Sequence, residues 1–133
     1  MLYRRKFVVL KSSDQLPTQA DSGYGYLYII GRSPEGPVKI GISINPRKRV
    51  KDLESAGGAK IKLIWLSPLC SNFLAIETDL HERLQDFRMH GEWFDVPFQP
   101  LVEYGERIKY KRRTKAQHAA ELHSMLSRSP KPA

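Results

Sequence analysis

Tyr26-Leu27-Tyr28-Ile29-Ile30, Gly31-Arg32-Ser33-Pro34-Glu35-Gly36-Pro37 and Val38-Lys39-Ile40-Gly41 follow one another without a gap. The outer two runs are apolar and rich in Ile, Val and Tyr, the composition of strands. The middle run is built from turn formers, and a connection this short makes an antiparallel hairpin the economical arrangement. Each predicted strand carries one polar side chain with chemistry to offer, Tyr28 or Lys39. The next segment, Asn45-Pro46-Arg47-Lys48-Arg49-Val50-Lys51-Asp52-Leu53, reads as a helix. Asn45 suits the N-cap, Pro46 the first helical position and Gly57-Gly58 the stop. A phenol, an amine and the Arg49 guanidinium thus fall on three consecutive elements. That set suits the handling of a phosphate.

Residues 60–66 begin in strand alternation and become wholly apolar, as a central strand does. Phe73, Ile76, Leu80, Leu84 and Phe87 recur at three and four, which predicts an amphipathic helix over 72–88 with Gly91 as its stop. Glu92-Trp93-Phe94 reads as a short extended close, with Trp93 and Phe94 completing the core. A last helix is expected from about residue 99 into the 120s, with the basic run Arg107 to Lys115 in its middle and Tyr104 and Tyr110 interleaved. Residues 12–23 lack periodicity and read as a linker. The expected fold is α+β, a small three-stranded, mostly antiparallel sheet flanked by helices and ending in a basic C-terminal helix. The expected division is an N-terminal strand or arm with linker (1–23), a central domain (24–97), the basic helix (98–126) and a disordered tail (127–133).

The chain has 133 residues, enough for one domain. Hydrophobic residues make up 41%, and no apolar run approaches the roughly 20 residues of a spanning helix. Met1 to Leu10 joins a basic cluster to a short apolar piece, the outline of a signal peptide. The apolar piece ends at Lys11 and no small-residue cleavage site follows, so it reads as a strand or arm. Cys70 is the single cysteine, which excludes an internal disulfide and a cysteine-based zinc site. It is expected in the core, in a reducing, cytoplasmic setting. Lys and Arg number 22 against 14 Asp and Glu, for a net charge of +8. Such an excess favours a polyanionic partner, DNA first and RNA second.

The order Tyr28, Lys39-Ile40-Gly41, Arg49, Glu77 resembles the GIY-YIG endonuclease superfamily. Lys39 follows Tyr28 by eleven positions, and Arg49 follows Gly41 by eight. The resemblance is closest to a divergent branch known largely from phage and microbial reading frames. That branch has Lys-Ile-Gly for Tyr-Ile-Gly, an Ala-x-x-x-x-x-His helix and a Gly-Glu-Trp-Phe close. Here these are Lys39-Ile40-Gly41, Ala75 through His81, and Gly91-Glu92-Trp93-Phe94. The family's histidine or tyrosine one turn beyond the arginine is Leu53 in this chain.

The resemblance implies divalent-metal-dependent hydrolysis of DNA. Tyr28 would activate or position water, and Lys39 and Arg49 would bind the phosphate. Glu77 would be the one carboxylate ligand of Mg2+ or Mn2+. His81, one helical turn from Glu77, would bind phosphate or carry a proton, and Glu92 would support the site from behind. Lys39 could also supply the positive charge that a phenol needs to ionise near neutral pH. Arg47, Lys48 and Lys51 would track flanking phosphates, as would Lys109, Lys111, Arg112 and Arg113. His81-Glu82 begins a zinc-protease motif, but Gln85 stands where its second histidine belongs. Two other functions fit the same residues: a DNA-binding module that keeps the scaffold without catalysis, and an interaction protein recruiting partners through its last helix. Oligomeric state is left open.

Overall fold

The computed structural model describes residues 8–113 and 115–127. The N-terminal segment read as strand or arm lies partly outside them, as does all of the tail beyond Ser127. The sheet is antiparallel throughout and has six strands rather than three. These are β1 (Val8–Val9), β2 (Tyr26–Gly31), β3 (Val38–Ser43), β4 (Leu63–Leu66), β5 (Arg88–His90) and β6 (Trp93–Phe94), in the order β1-β4-β2-β3-β6-β5. The three long central strands are those expected. The additional ones are two or three residues long, too short to leave a periodic signal. β1 pairs with β4, β6 with β3 and β5 with β6.

Strand alternation divides the side chains of the β2–β3 hairpin between two layers. Register pairs Tyr28 with Gly41 and Ile30 with Lys39. These four residues face α1 (Pro46–Gly57), where Tyr28, Ile30 and Ile64 pack with Val50, Leu10 and Leu16. Leu27, Ile29, Val38 and Ile40 face the other way, onto α2 (Phe73–Arg83) and α3 (Phe98–Glu106). Both faces of β2 are buried, which explains its nearly continuous apolar sequence. α1 is bounded as its sequence implies. The Asn45 side chain accepts a hydrogen bond from the Lys48 amide at 3.1 Å, and Gly58 takes the left-handed conformation (φ 68°) that closes the helix. Its Val50, wholly buried, contributes on the order of 1.5–3 kcal/mol.

Several further expectations are corrected. The helix read over 72–88 ends at Arg83. A 3-10 turn over Gln85–Phe87 and strand β5 follow, leaving Phe87 50% exposed. Gly91, with φ 55°, turns the β5–β6 hairpin instead of stopping a helix.

The last helix is two helices, α3 and α4 (Lys115–Ser127). The part of the basic run from Arg107 to Arg113 is not helical. α3 stops because the strap beyond it satisfies its final carbonyls. The amides of Arg107 and Ile108 bond Tyr104 and Gly105, and the Tyr110 hydroxyl donates to the Gly105 carbonyl at 2.6 Å. Gly105 also lies against the Trp65 indole, where a Cβ would meet the ring at 3.0 Å. Ile108 and Tyr110 then pack on the core while Lys109 and Lys111 point outward, a period of two where a helix requires 3.6.

The segment read as a linker is packed onto the domain. Leu16 is buried beside α1, and the Ala20 amide bonds the Ile44 carbonyl. Cys70 is buried as expected, and burial pushes its thiol pKa upward.

Candidate functional site

β3 is covered along only part of its outer edge. β6 pairs with Val38 and Lys39, and one residue further the Ile40 amide bonds the Glu92 carbonyl at 3.1 Å. The Ile40 carbonyl is met by His81 Nε2 at 3.0 Å. From Gly41 onward the strand has no partner strand on that side among the described residues. This gap lies between α1 on one face of the sheet and α2 on the other. The side chains of Tyr28, Arg49, Glu77, His81 and Glu92 gather around it.

Gly41 is the reason that the Tyr28 hydroxyl can lie there. A Cβ at Gly41 would fall 2.3 Å from the hydroxyl oxygen and 2.4 Å from Cζ. The phenol ring crosses directly over the glycine toward the edge of the sheet. Its side chain is otherwise enclosed, with 1% of the residue exposed. Arg49 reaches it from α1, and Nε donates to the hydroxyl at 3.3 Å. Burial raises the Tyr28 pKa above its usual value. The Arg49 bond and charge oppose that rise, and the charges of Glu92 and Glu77 add to it. At neutral pH Tyr28 is therefore a phenol whose oxygen accepts from Arg49 and whose proton is left to donate. The same bond holds Arg49 more firmly in its charged form.

Lys39 is not the cation beside Tyr28. Its ammonium lies 3.4 Å from Glu92 and 5.7 Å from the centre of the Trp93 ring. Arg49 supplies the local positive charge instead. His81 bonds a carbonyl, so it must donate through Nε2–H. Its ring packs on Phe94, with centroids 5.1 Å apart. His81 thereby fixes the last paired residue of β3.

Glu77 is partly buried, and its pKa is raised, chiefly by burial. The Glu92 charge adds to the rise and His81 opposes it. Glu92 keeps one buried carboxylate oxygen without a hydrogen bond. That oxygen is the one facing the Lys39 ammonium at 3.4 Å, so of the two mutually repelling carboxylates Glu92 already has a cation beside it and Glu77 is the one a further cation would serve. Among the described residues no three His, Cys, Asp or Glu side chains converge into a metal cage. The donors fit a hard ion such as Mg2+ or Mn2+, which keeps several waters and takes one or two protein carboxylates. Glu77 would be its ligand.

The basic residues expected to follow flanking phosphates divide into two groups. Arg47 is engaged in the fold: Nε and Nη2 donate to the carbonyls of Leu16 and Asp14, at 3.0 and 2.9 Å. Arg113 binds Asp21 and lies over the Tyr24 ring at 4.8 Å. Lys48 and Lys51 make exposed pairs with Asp52 and Asp14, at 2.9 and 3.0 Å. Such pairs are weak enough for a phosphate to replace them. Lys109, Lys111 and Arg112 are exposed on the strap. Ser71 and Asn72 tie the strap to the start of α2.

A family model, the T5orf172 domain, matches residues 25–118. The chain belongs to the T5orf172 domain family. The matched region of this T5orf172 domain runs from the start of the β2–β3 hairpin through the strap, so it holds every side chain at the β3 gap. Comparison with curated proteins and with solved structures gave no match. No helix among the described residues of this T5orf172 protein is long and apolar enough to cross a membrane.

Two features of the site were not legible as such in the sequence. Trp93, read as core, is partly exposed, while its neighbour Phe94 is wholly buried. Arg32, read as part of a turn, lies over the Trp93 ring at 4.4 Å. Strand alternation carried the signal for the first, because adjacent strand residues face opposite ways. Nothing local marked the second.

Proposed function

We propose that this T5orf172 protein hydrolyses phosphodiester bonds of DNA at the β3 gap, using Mg2+ or Mn2+, in the manner of the GIY-YIG endonucleases. The observation that carries this reading is the Tyr28–Arg49 hydrogen bond at an open sheet edge, made over a glycine and faced by Glu77 from the opposite helix. A phenol, a guanidinium and two mutually repelling carboxylates meet where a polyanion has access.

Arg49 receives the scissile phosphate and meets the charge that builds on its oxygens. Tyr28 first loses its proton to solvent, and the phenolate, held by Arg49, then orients the attacking water and takes up its proton as the water oxygen bonds to phosphorus. Once their charge is neutralised, Glu77 and Glu92 no longer oppose ionisation of Tyr28, and Arg49 favours it. A divalent ion bound by Glu77 would act as Lewis acid toward the phosphate and stabilise the leaving oxygen. Glu92 holds Lys39 at the edge of the site, and Lys39 contributes a positive charge for the neighbouring phosphate. Lys48, Lys51 and the exposed strap residues add affinity that depends on salt and not on sequence.

Supercoiled plasmid separates the functions compatible with this scaffold. Nicking by purified protein with Mg2+ or Mn2+, stopped by EDTA, is the expected result. A salt-sensitive gel shift without nicking would replace hydrolysis with a binding module. The absence of both at low salt would leave a protein-interaction role.

A further inference from the structure

Trp93 closes the far end of the same face. Its register partner is Lys39, and Lys39 lies opposite Ile30, so the indole shares the sheet face of Tyr28 and Gly41. From Lys39 to Gly41 is two residues along β3, about 7 Å. An indole at this distance from a phosphate site is in reach of the adjoining nucleotide. The residue is partly exposed, although Phe94 beside it anchors the strand in the core. Arg32, exposed on the β2–β3 turn, carries its guanidinium over the indole at 4.4 Å from the ring centre. Lys39 lies at 5.7 Å from it. A planar cation on an indole that is not fully covered marks a surface suited to a planar aromatic guest. It also supplies the positive charge that accompanies a nucleotide.

We infer that Trp93 and Arg32 form a clamp for one unpaired base of DNA, next to the phosphate held at Gly41 and Arg49. The inference rests on the reading of the β3 gap as a phosphate site and names its substrate class: DNA with a single-stranded or extruded nucleotide at the cleavage point. The base displaces the Arg32 guanidinium from the indole, stacks on the ring in its place and takes the guanidinium, from the exposed turn, onto its outer face as a cation–π contact. A base inside an intact duplex is already stacked on both sides and presents no face to the indole. The clamp therefore discriminates by strandedness, and it is tolerant of sequence because every base has a π-face.

Fluorescence tests this without turnover. The chain has two tryptophans, and Trp65 is shielded, with 4% exposure and its Nε1 bonded to Glu106 at 2.9 Å. Emission that responds to DNA thus reports Trp93. A single-stranded oligonucleotide and a blunt hairpin duplex of matching sequence are titrated into the full chain at low salt with EDTA. The single strand is expected to quench emission and to bind several-fold more tightly than the duplex. Trp93→Ala should lose roughly tenfold in single-strand affinity, measured by anisotropy of labelled DNA, with duplex affinity nearly unchanged. Arg32→Ala, a substitution on an exposed turn that the fold tolerates, should weaken the single strand by roughly threefold and the duplex by less. Equal quenching by both DNAs, or variants that weaken both equally or neither, would overturn the clamp. Plasmid nicking is scored separately. Its absence alongside selective quenching removes hydrolysis and leaves the clamp, and nicking with unselective quenching does the reverse.

Discussion

A methyl group on Gly41 would stand 2.3 Å from the hydroxyl of Tyr28. The two residues oppose each other across the β2–β3 ladder, and the absence of one side chain lets the other cross the strand to the site. Gly41→Ala is expected to destabilise the protein by about 1–3 kcal/mol, the scale of overpacking in a filled core. Tyr28→Phe does not relieve the clash, because Cζ is only 2.4 Å from the same point. Tyr28→Leu does. Urea midpoints of the four-member cycle pairing Gly41→Ala with Tyr28→Leu check this, and the two changes should be clearly non-additive.

Glu77 in its charged form costs the folded protein stability at neutral pH. Its pKa is raised in the folded state, mainly by burial, so folding favours the protonated form. The stability that this contributes is present below its unfolded value and is lost as pH rises through the folded one. Glu77→Gln is therefore expected to raise the melting temperature at pH 7 and to make little difference near pH 3. Added Mg2+ should stabilise the wild type and leave the variant where it was. Thermal melts at the two pH values, with and without the ion, decide it.

At the alkaline end the buried phenols govern stability. Burial raises the pKa of Tyr28 and of Tyr110, and of Tyr26 to a lesser depth of enclosure. Above about pH 10 the unfolded chain loses these protons and the folded chain keeps them, so stability falls as pH rises. Tyr110→Phe should flatten that fall. It should also lower stability at neutral pH, by about 1 kcal/mol for the bond to Gly105. Urea midpoints at pH 8 and pH 11 measure both effects.

Arg47 and Lys48 are neighbours with different work. Arg47→Ala removes two charged donors from the carbonyls of Leu16 and Asp14, at a cost of roughly 1–3 kcal/mol. Lys48→Ala breaks only an exposed pair with Asp52 and should stay within about 0.5 kcal/mol. Its effect is expected in DNA affinity instead, as a shallower salt dependence. Chemical denaturation and salt titrations of binding separate the two.

The sequence carried the hairpin, α1 and the central strand because local chemistry set their bounds: Asn45 and Pro46 at one helix end, Gly58 at the other. The family resemblance singled out Tyr28, Arg49 and Glu77, and the fold brings their side chains to one gap. The sequence misled where long-range contacts won over periodicity. Phe87 continued an apolar stripe, but the chain leaves α2 at Arg83 to form the β5–β6 hairpin. The basic run had the composition of an exposed helix, yet Tyr110 folds back to Gly105 and ends α3. Lys39 was read as the partner of Tyr28 because both sit on one hairpin. Glu92, in the turn of the β5–β6 hairpin later in the chain, pairs with its ammonium instead.

The most direct measurement is the initial rate of nicking of supercoiled plasmid under excess enzyme with Mg2+. It compares wild type, Tyr28→Phe, Arg49→Ala and Glu77→Ala, with Lys48→Ala as the surface control. Loss of a group that meets charge in the transition state costs on the order of 100-fold or more. Falls of that size are predicted for the three site variants, and a change within about threefold for Lys48→Ala. Wild-type nicking no faster than that of Tyr28→Phe and Glu77→Ala would contradict the assignment of the β3 gap as the place where the phosphodiester is cut.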